Sequence, residues 1–381
     1  MNLFISLIFI MEKTIKIILL FFIFSLLSYP KEKSNPVDST VTITISAVGD
    51  LMCHQPQYDY AKTKQDSFDF NPVFRLVKQC LEKSDFTFGN LETVTAGKEK
   101  RYSGYPLFNS PDEFIKSLKY AGFNLLSNAN NHALDRGEYG LRRTIDVIKR
   151  NGILYNGTYL SQNDRDSIRV FNIKGIKLAF LSYTYGTNGN IVPKTKDYLI
   201  NRINFDLMKY DLERSKLISD LTIIFLHYGS EYKREPDNYE KKVVDSLINF
   251  GADIIIGSHP HVIQPFKYFT SGTSKIKKGL AAYSLGNFIS NQQWRYSDAG
   301  VIFNISLTKN ILTNDVEISG VDFIPTWVYK SRAKLRNEYV IIPALYLMID
   351  EIFKYFSDAD YSKMFRSFSD TKEILLKYTT E

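Results

Sequence analysis

Cysteine is nearly absent from this 381-residue chain, which carries only Cys53 and Cys80. Two thiols exclude a disulfide-stapled scaffold and leave at most one bridge in an oxidising compartment. Neither is near the N-terminus, so no sulfur there can carry a lipid. A phosphate-cradling glycine loop and a dinucleotide fingerprint are both missing, which leaves no place for an ATP-driven ligase within this chain alone. There is no Gly-x-Ser-x-Gly elbow to build a serine triad around His132 and Asp135, and Cys53 beside His54 lacks the orienting neighbour of a thiol nucleophile. Internal repeats and low-complexity tracts are absent. Neither sign of charge dominates: 48 Lys and Arg stand against 41 Asp and Glu, a formal +7. That excess favours anionic partners but falls short of a nucleic-acid footprint.

What remains is a chain with 44% hydrophobic residues, enough to bury a sizeable core. Its first forty residues have the pattern of targeting rather than fold. Lys13 and Lys16 precede an apolar run at 17–27, and a polar linker with two prolines follows; Met11 offers a second candidate start. The run is shorter than the roughly 20 residues of a usual spanning helix, yet no Ala-x-Ala cleavage signal follows it, so a cleaved signal and an uncleaved anchor both fit. Either one predicts an extracytoplasmic protein, secreted or membrane-anchored. The expected organisation is a targeting segment with linker at 1–40, a main domain at 41–330 and a helical C-terminal extension at 331–381.

Beyond the linker, Val- and Ile-rich runs alternate with helical patterns, as in a layered α/β domain. Strands are expected at 41–49, 86–88, 123–127, 221–226, 253–256, 281–285 and 301–307. A hairpin is expected over 170–183, turning at Lys174-Gly175. Helices are expected at 72–83, 110–120, 138–150, 204–219, 240–250 and beyond about Pro343.

All five histidines, His54, His132, His227, His259 and His261, fall just after expected strands or in the loops that follow. In open α/β sheets ligands gather outside the carboxyl ends of strands, so these positions can converge. Carboxylates and amides share the same segments: Gly49-Asp50, Gly89-Asn90-Leu91-Glu92 and Asn130-Asn131-His132 with Asp135. Imidazole, carboxylate and amide oxygen together suit a divalent Mn, Fe or Zn, and two such ions about 3.5–4 Å apart could clamp a phosphoryl or acyl centre.

Six segments in order carry a resemblance to a known family. They are Gly49-Asp50-Leu51-Met52; Gly89-Asn90-Leu91-Glu92; Ala129-Asn130-Asn131-His132 with Asp135 and Gly137; His227-Tyr228-Gly229 with Glu231-Tyr232; Gly257-Ser258-His259-Pro260-His261-Val262 with Gln264; and Ser284-Leu285-Gly286-Asn287-Phe288. The stretch from about Ile43 to Asn291 resembles the CapA or poly-γ-glutamate capsule-synthesis family, within the wider calcineurin-like metallophosphoesterases. The resemblance implies a metallophosphoesterase-like α/β fold, a four-layer αββα sandwich. It implies metal ligands at Asp50, Glu92, Asn131, His227, His259 and His261, proton transfer or substrate orientation by His132 with Asp135 behind it, and substrate contacts at His54, Glu231, Tyr232 and Asn287.

The chain departs from the wider pattern in that Met52 stands where a histidine ligand is usual and Glu92 where an aspartate bridges. One ion, expected on Asp50, Glu92 and His261, would then be the weaker, with His259 serving the other and His54 a candidate compensating ligand. Tyr228 replaces a commoner Trp, and Ser258 a commoner His. Two functions follow from the resemblance. One is a metal-dependent hydrolase or transferase acting on a phosphoester, or on an amide or ester of an anionic envelope polymer. The other is a non-catalytic polymer-binding component of a membrane-associated synthesis or export assembly, in which the metal site is structural or vestigial.

Overall fold

The computed structural model describes residues 40–64, 67–331, 339–344 and 351–378. Residues 41–381 form a compact unit, the second of the chain's two; the expected export segment lies outside the described residues. Among the described residues no helix is long and apolar enough to cross a membrane.

Two sheets build the second unit. In the first, β14 (Tyr339–Pro343), β13 (Val316–Lys330), β12 (Ala299–Asn310), β1 (Thr40–Leu51), β2 (Phe86–Leu91), β3 (Leu125–Ser127) and β4 (Leu154–Asn156) lie in that order, and β11 (Asn287–Ile289) also pairs with β1. In the second, the order is β5 (Arg169–Ile173), β6 (Ile176–Thr184), β7 (Leu221–His227), β8 (Ile254–Ser258), β10 (Gly279–Ala282) and β9 (Phe266–Phe269). From β1 to β4, and from β6 through β8 to β10, neighbours run parallel.

Strand periodicity sets the layers. Ile43, Ile45 and Ala47 of β1 face Leu178, Phe180, Ile223, Phe225, Ile254 and Ile256 of the second sheet in one core cluster. The alternate residues Ile224, Leu226 and Ile255 turn outward beneath helices α7 (Phe205–Ile218) and α8 (Asn238–Phe250), where Met208, Leu212, Val243 and Leu247 cover them. Burial on both faces is why these strands are uninterrupted apolar runs. On the other side, α4 (Asp112–Ala121) and α5 (Gly137–Arg150) bury Phe114, Leu118, Val147 and Ile148 against Val48, Leu51 and Leu126. The result is the four-layer αββα sandwich.

Several local expectations shift. Region 72–83 divides into two short helices, α2 (Asn71–Phe74) and α3 (Lys78–Leu81), because Val77 and Cys80 donate to carbonyls three residues back, at 3.1 and 3.0 Å, in the tighter 3₁₀ manner. Strand β14 lies within 331–381 and pairs with β13, and α9 (Asp358–Leu376) packs Met364 and Phe368 on Trp327 and Tyr329. Cys53 and Cys80 are both free and buried in one apolar cluster, so the single possible bridge is not formed. The β5–β6 turn falls at Lys174-Gly175, both at positive φ, the geometry of a two-residue hairpin.

Candidate functional site: a buried histidine and carboxylate cluster

Parallel strands of both sheets end at one edge of the sandwich, and the chemistry-bearing residues collect there. Asp50 closes β1, which is held against the β11 entrance by a bond from Asp50 N–H to Gly286 O of 2.9 Å. A Cβ at Gly49 would lie 1.9 Å from that same oxygen, so only glycine lets the two backbones approach. Glu92 follows β2, Asn131 follows β3, His227 ends β7, and His259 and His261 follow β8.

All six are buried, with Asp50, Glu92 and His227 at 0% exposure. Asp50 accepts from Asn90 Nδ2 at 2.8 Å, from the His259 amide at 3.3 Å, and meets His261 Nδ1 at 3.1 Å. His227 places Nε2 2.9 Å from Asn131 Oδ1, and Nδ1 3.1 Å from both Asn90 Nδ2 and Ser258 Oγ. His261 Nδ1 is 3.1 Å from Asn287 Oδ1, which ties Asn287 to the cluster.

Two groups have ligand atoms mutually within 4.8 Å: Glu92, His259 and His261, and Asp50, Glu92 and His227. Glu92 is common to both. His259 and His261, expected to serve different ions, both appear in the first group, and His261 Nδ1 also lies 3.1 Å from Asp50 Oδ2 of the second. Their backbones are both left-handed, at φ 97° and 58°, around Pro260, so neither continues the strand that would have set their directions. His54 belongs to neither group. Its Nδ1 accepts the Asn291 amide at 3.3 Å and its ring packs edge-on against Phe108, so it lines the cluster.

Burial controls the charges. Desolvation pushes the Glu92 carboxyl well above the usual range, and the neighbouring Asp50 adds to it. Burial would also raise Asp50, but its contacts with His261 and Asn90 hold it below its ordinary value. His227 is driven well below 6.5 by burial, then by the charges of His259 and His261. For the same reason His259 falls to about 3, and His54, by burial against an opposing bond to Gln57 Oε1, to about 4. Neutral imidazoles beside carboxylates are the state in which a cation is bound.

Three buried atoms test whether a cation fits. Glu92 Oε1, Glu92 Oε2 and His259 Nδ1 have no hydrogen-bond partner. Buried polar atoms are rarely left so, and a carboxylate with both oxygens orphaned is satisfied by a cation. The donor set of imidazole, carboxylate and amide oxygen suits a divalent transition metal.

His132 stands beside this cluster without joining it. Its Nδ1 is 2.7 Å from Asp135 Oδ2, which also accepts the Phe108 amide at 2.7 Å, and Phe108 abuts the ring edge-on. The imidazole is thus fixed in orientation, with Nε2 left for another partner. Tyr232, 43% exposed, lies 6.0 Å from His261 and 5.4 Å from Trp294; Glu231 is exposed at the same rim.

Sequence reasoning missed Asn90, Asn130 and Tyr185 as site residues. Asn90 bridges Asp50 and His227, while Asn130 donates to Leu91 O at 2.6 Å and accepts the His132 amide at 3.1 Å. Both stood inside quoted motifs. Tyr185, just past β6, places its ring 4.6 Å from His259, and the strand-end logic applied to the histidines would have found it.

Residues 44–292 match the model of the bacterial capsule synthesis protein PGA_cap. The chain belongs to this family. It is 30% identical over 277 residues to the capsule biosynthesis protein CapA of Bacillus anthracis, covering 70% of this chain and 64% of that protein's length. It is 27% identical over 296 residues to the PGA biosynthesis protein CapA of Bacillus subtilis, covering 77% and 74%. Among solved structures, a phosphatase from Mycoplasma pneumoniae aligns over 75% of this chain and 94% of its own, at 15% identity and TM-score 0.45. The NAD nucleotidase NadN of Haemophilus influenzae aligns over 90% and 60%, at 12% identity and TM-score 0.46.

Proposed function

We propose that this capsule-synthesis family member is an extracytoplasmic, metal-dependent hydrolase or transferase that acts on a phosphoester, amide or ester linkage of an anionic envelope polymer. The observation that carries the reading is the Glu92 carboxylate, fully buried with neither oxygen bonded, beside Asp50 and three imidazoles.

Asp50, Glu92, Asn131, His227, His259 and His261 would hold the metal. Polarisation of a phosphoryl or carbonyl oxygen, and a water made nucleophilic at neutral pH, are what a divalent ion contributes in such a site. The chain's own residues supply the rest. His132, oriented by Asp135, gives or takes the proton at the leaving atom through Nε2. Tyr185 and Tyr232 flank the opening, and a cavity of about 730 Å³ lined by Tyr185, Tyr198, Arg202 and Tyr210 leads away from it. An extended chain can lie there while one linkage reaches the cluster.

The test is elemental analysis of the purified protein, together with turnover of a generic phosphodiester and a γ-glutamyl oligomer with and without chelator. Stoichiometric metal and chelator-sensitive turnover are expected. Metal without turnover on any ester or amide would move the reading to a polymer-binding component; no metal would overturn it.

A further inference from the structure

We propose that the end of the sandwich opposite the histidine cluster is a docking face for an anionic lipid surface. This goes beyond the hydrolase reading and stands whether or not the cluster is catalytic.

The face is assembled by contacts at the starts of the parallel strands. Thr42 Oγ1 lies 2.9 Å from Thr308 Oγ1, which brings the β12–β13 tip beside the beginning of β1. Lys309 Nζ donates to Asp220 Oδ2 at 2.9 Å and to Gly175 O at 3.3 Å, joining that tip to the α7–β7 corner and the β5–β6 turn. Lys216 Nζ donates to Thr273 O at 2.8 Å, and Lys275 Nζ to Ser219 O, which adds the loop before β10.

Four aliphatic side chains stand out from these linked turns: Leu217 is 85% exposed, Ile218 49%, Ile311 49% and Leu312 66%. Single exposed apolar residues need no explanation, but four aliphatics on adjoining turns of one end form a patch. Around them Lys174, Lys177, Lys275, Lys277 and Lys278 are exposed. Of the acids here, Asp85 is paired with Lys174 and Asp220 with Lys309, and the exposed Asp315 and Glu317 at the β12–β13 tip are outnumbered by Lys177, Lys275, Lys277 and Lys278. Apolar tips ringed by lysines are the chemistry that enters the headgroup layer of an anionic bilayer.

The occupant is a membrane rather than a second copy because of where the chain enters. Residue 40, at this same end, is the covalent link toward the apolar run at 17–27, with twelve residues, 28–39, between. A membrane tie through that run would be joined covalently to the domain at the start of β1. β1 then covers about 33 Å between Thr40 and Asp50 at roughly 3.3 Å per residue. A molecule docked on this face therefore opens its histidine cluster away from the bilayer, toward a polymer in the aqueous space rather than a lipid headgroup.

Cys53 and Cys80 are buried, so an introduced surface cysteine can be labelled selectively in the full chain. A fluorophore is placed at Leu312→Cys or, as the control, at Ile191→Cys, which is 89% exposed and shares a cavity with Asp135 at the cluster end. Each is mixed with vesicles containing a lipid-borne quencher, made of phosphatidylcholine with or without phosphatidylglycerol. Expected is quenching at 312 several-fold above that at 191 in the anionic vesicles, weakened by salt and by removal of phosphatidylglycerol. Leu217→Ser with Ile311→Ser, and separately Lys277→Glu with Lys278→Glu, should each reduce the signal at 312 without altering melting temperature. Equal quenching at both positions, or none at 312, overturns the proposal. So does shielding of 312 from a soluble quencher without lipid quenching, which would mean a protein partner or a second copy covers the face.

Discussion

Asn131 Oδ1 lies 2.9 Å from Nε2 of His227, and the pair joins the loop after a strand of the first sheet to the end of a strand of the second. A shared ion would strengthen this link across the sandwich, whereas without one it is a single hydrogen bond. A double-mutant cycle of Asn131→Ala and His227→Ala should therefore give a coupling of about 1 kcal/mol in chelator, the worth of one bond. With saturating divalent metal the coupling should be larger, because each substitution already costs the ion. Thermal or urea unfolding measures both; identical coupling in the two conditions would speak against a common cation.

Glu92 predicts a change of sign. Burial first, and Asp50 second, hold its carboxyl well above the usual range, so the ionised form destabilises the metal-free protein. That penalty grows as pH rises, and Glu92→Gln removes it. In chelator at pH 8 the variant should melt above the wild type. With metal present the order should reverse, since binding at about 100 times Kd adds roughly 2.7 kcal/mol to the wild type alone. A variant less stable in both conditions would show that Glu92 is an ordinary structural acid.

The legible part of this molecule is the part where one physical rule acts alone. Strands β7 and β8 are apolar at every core position because both faces are covered, and the five histidines were visible as a set at strand ends. Strand β14 was not legible because it depends on a distant partner, Tyr329 pairing with Val340, and the split of α2 from α3 turns on bonds to carbonyls three residues back, which apolar spacing does not distinguish from an α-helix. Asn90 and Asn130 lay inside recognised segments, yet their role is to bridge groups 137 and 40 residues away, which no spacing announces. The grouping of His259 with His261 turned on two left-handed backbones, and histidine gives little local signal of that conformation.

That left-handed geometry is itself testable. His259 holds φ 97°, where any Cβ is strained. In chelator, His259→Gly should be more stable than His259→Ala by about 1 kcal/mol, since glycine relieves the contact. Both variants should lose metal equally by elemental analysis. An alanine variant as stable as the glycine one would mean the loop relaxes freely and stores no strain for the ligand.

His132 should separate from the ligands in the same assay. Its Nδ1 is committed to Asp135 at 2.7 Å and it is in neither ligand group. His132→Ala should keep the metal content while lowering turnover about 10²–10⁴-fold, the usual contribution of a general acid or base. Asp135→Asn should give a smaller loss with metal intact. Metal lost together with activity would reassign His132 as a ligand.

Glu240 provides a pH signature behind the site. Its side chain is fully buried, Oε1 has no partner, and Oε2 accepts the Asp237 amide at 2.7 Å in a capping box at the start of α8. Burial lifts its carboxyl to about 7 from 4.5, opposed by the Asp237 amide bond. A raised folded-state value means the native protein binds more protons than the unfolded chain between those two values. The stabilising contribution is therefore complete below about pH 4.5 and is lost as pH rises through about 7. The buried His54 and His259 act oppositely: their folded values, about 4 and 3, lie below 6.5, so their contribution is complete above pH 6.5 and lost on acidification. Total stability mixes the two slopes, and only the difference from a variant isolates Glu240. Glu240→Gln keeps an amide oxygen to accept the Asp237 N–H, preserving the cap. Wild type minus variant should fall by about 1–3 kcal/mol between pH 4.5 and 7.5, measured by urea unfolding across that range in chelator. A flat difference would mean that Glu240 titrates as an exposed acid and that water reaches Oε1 in the folded state.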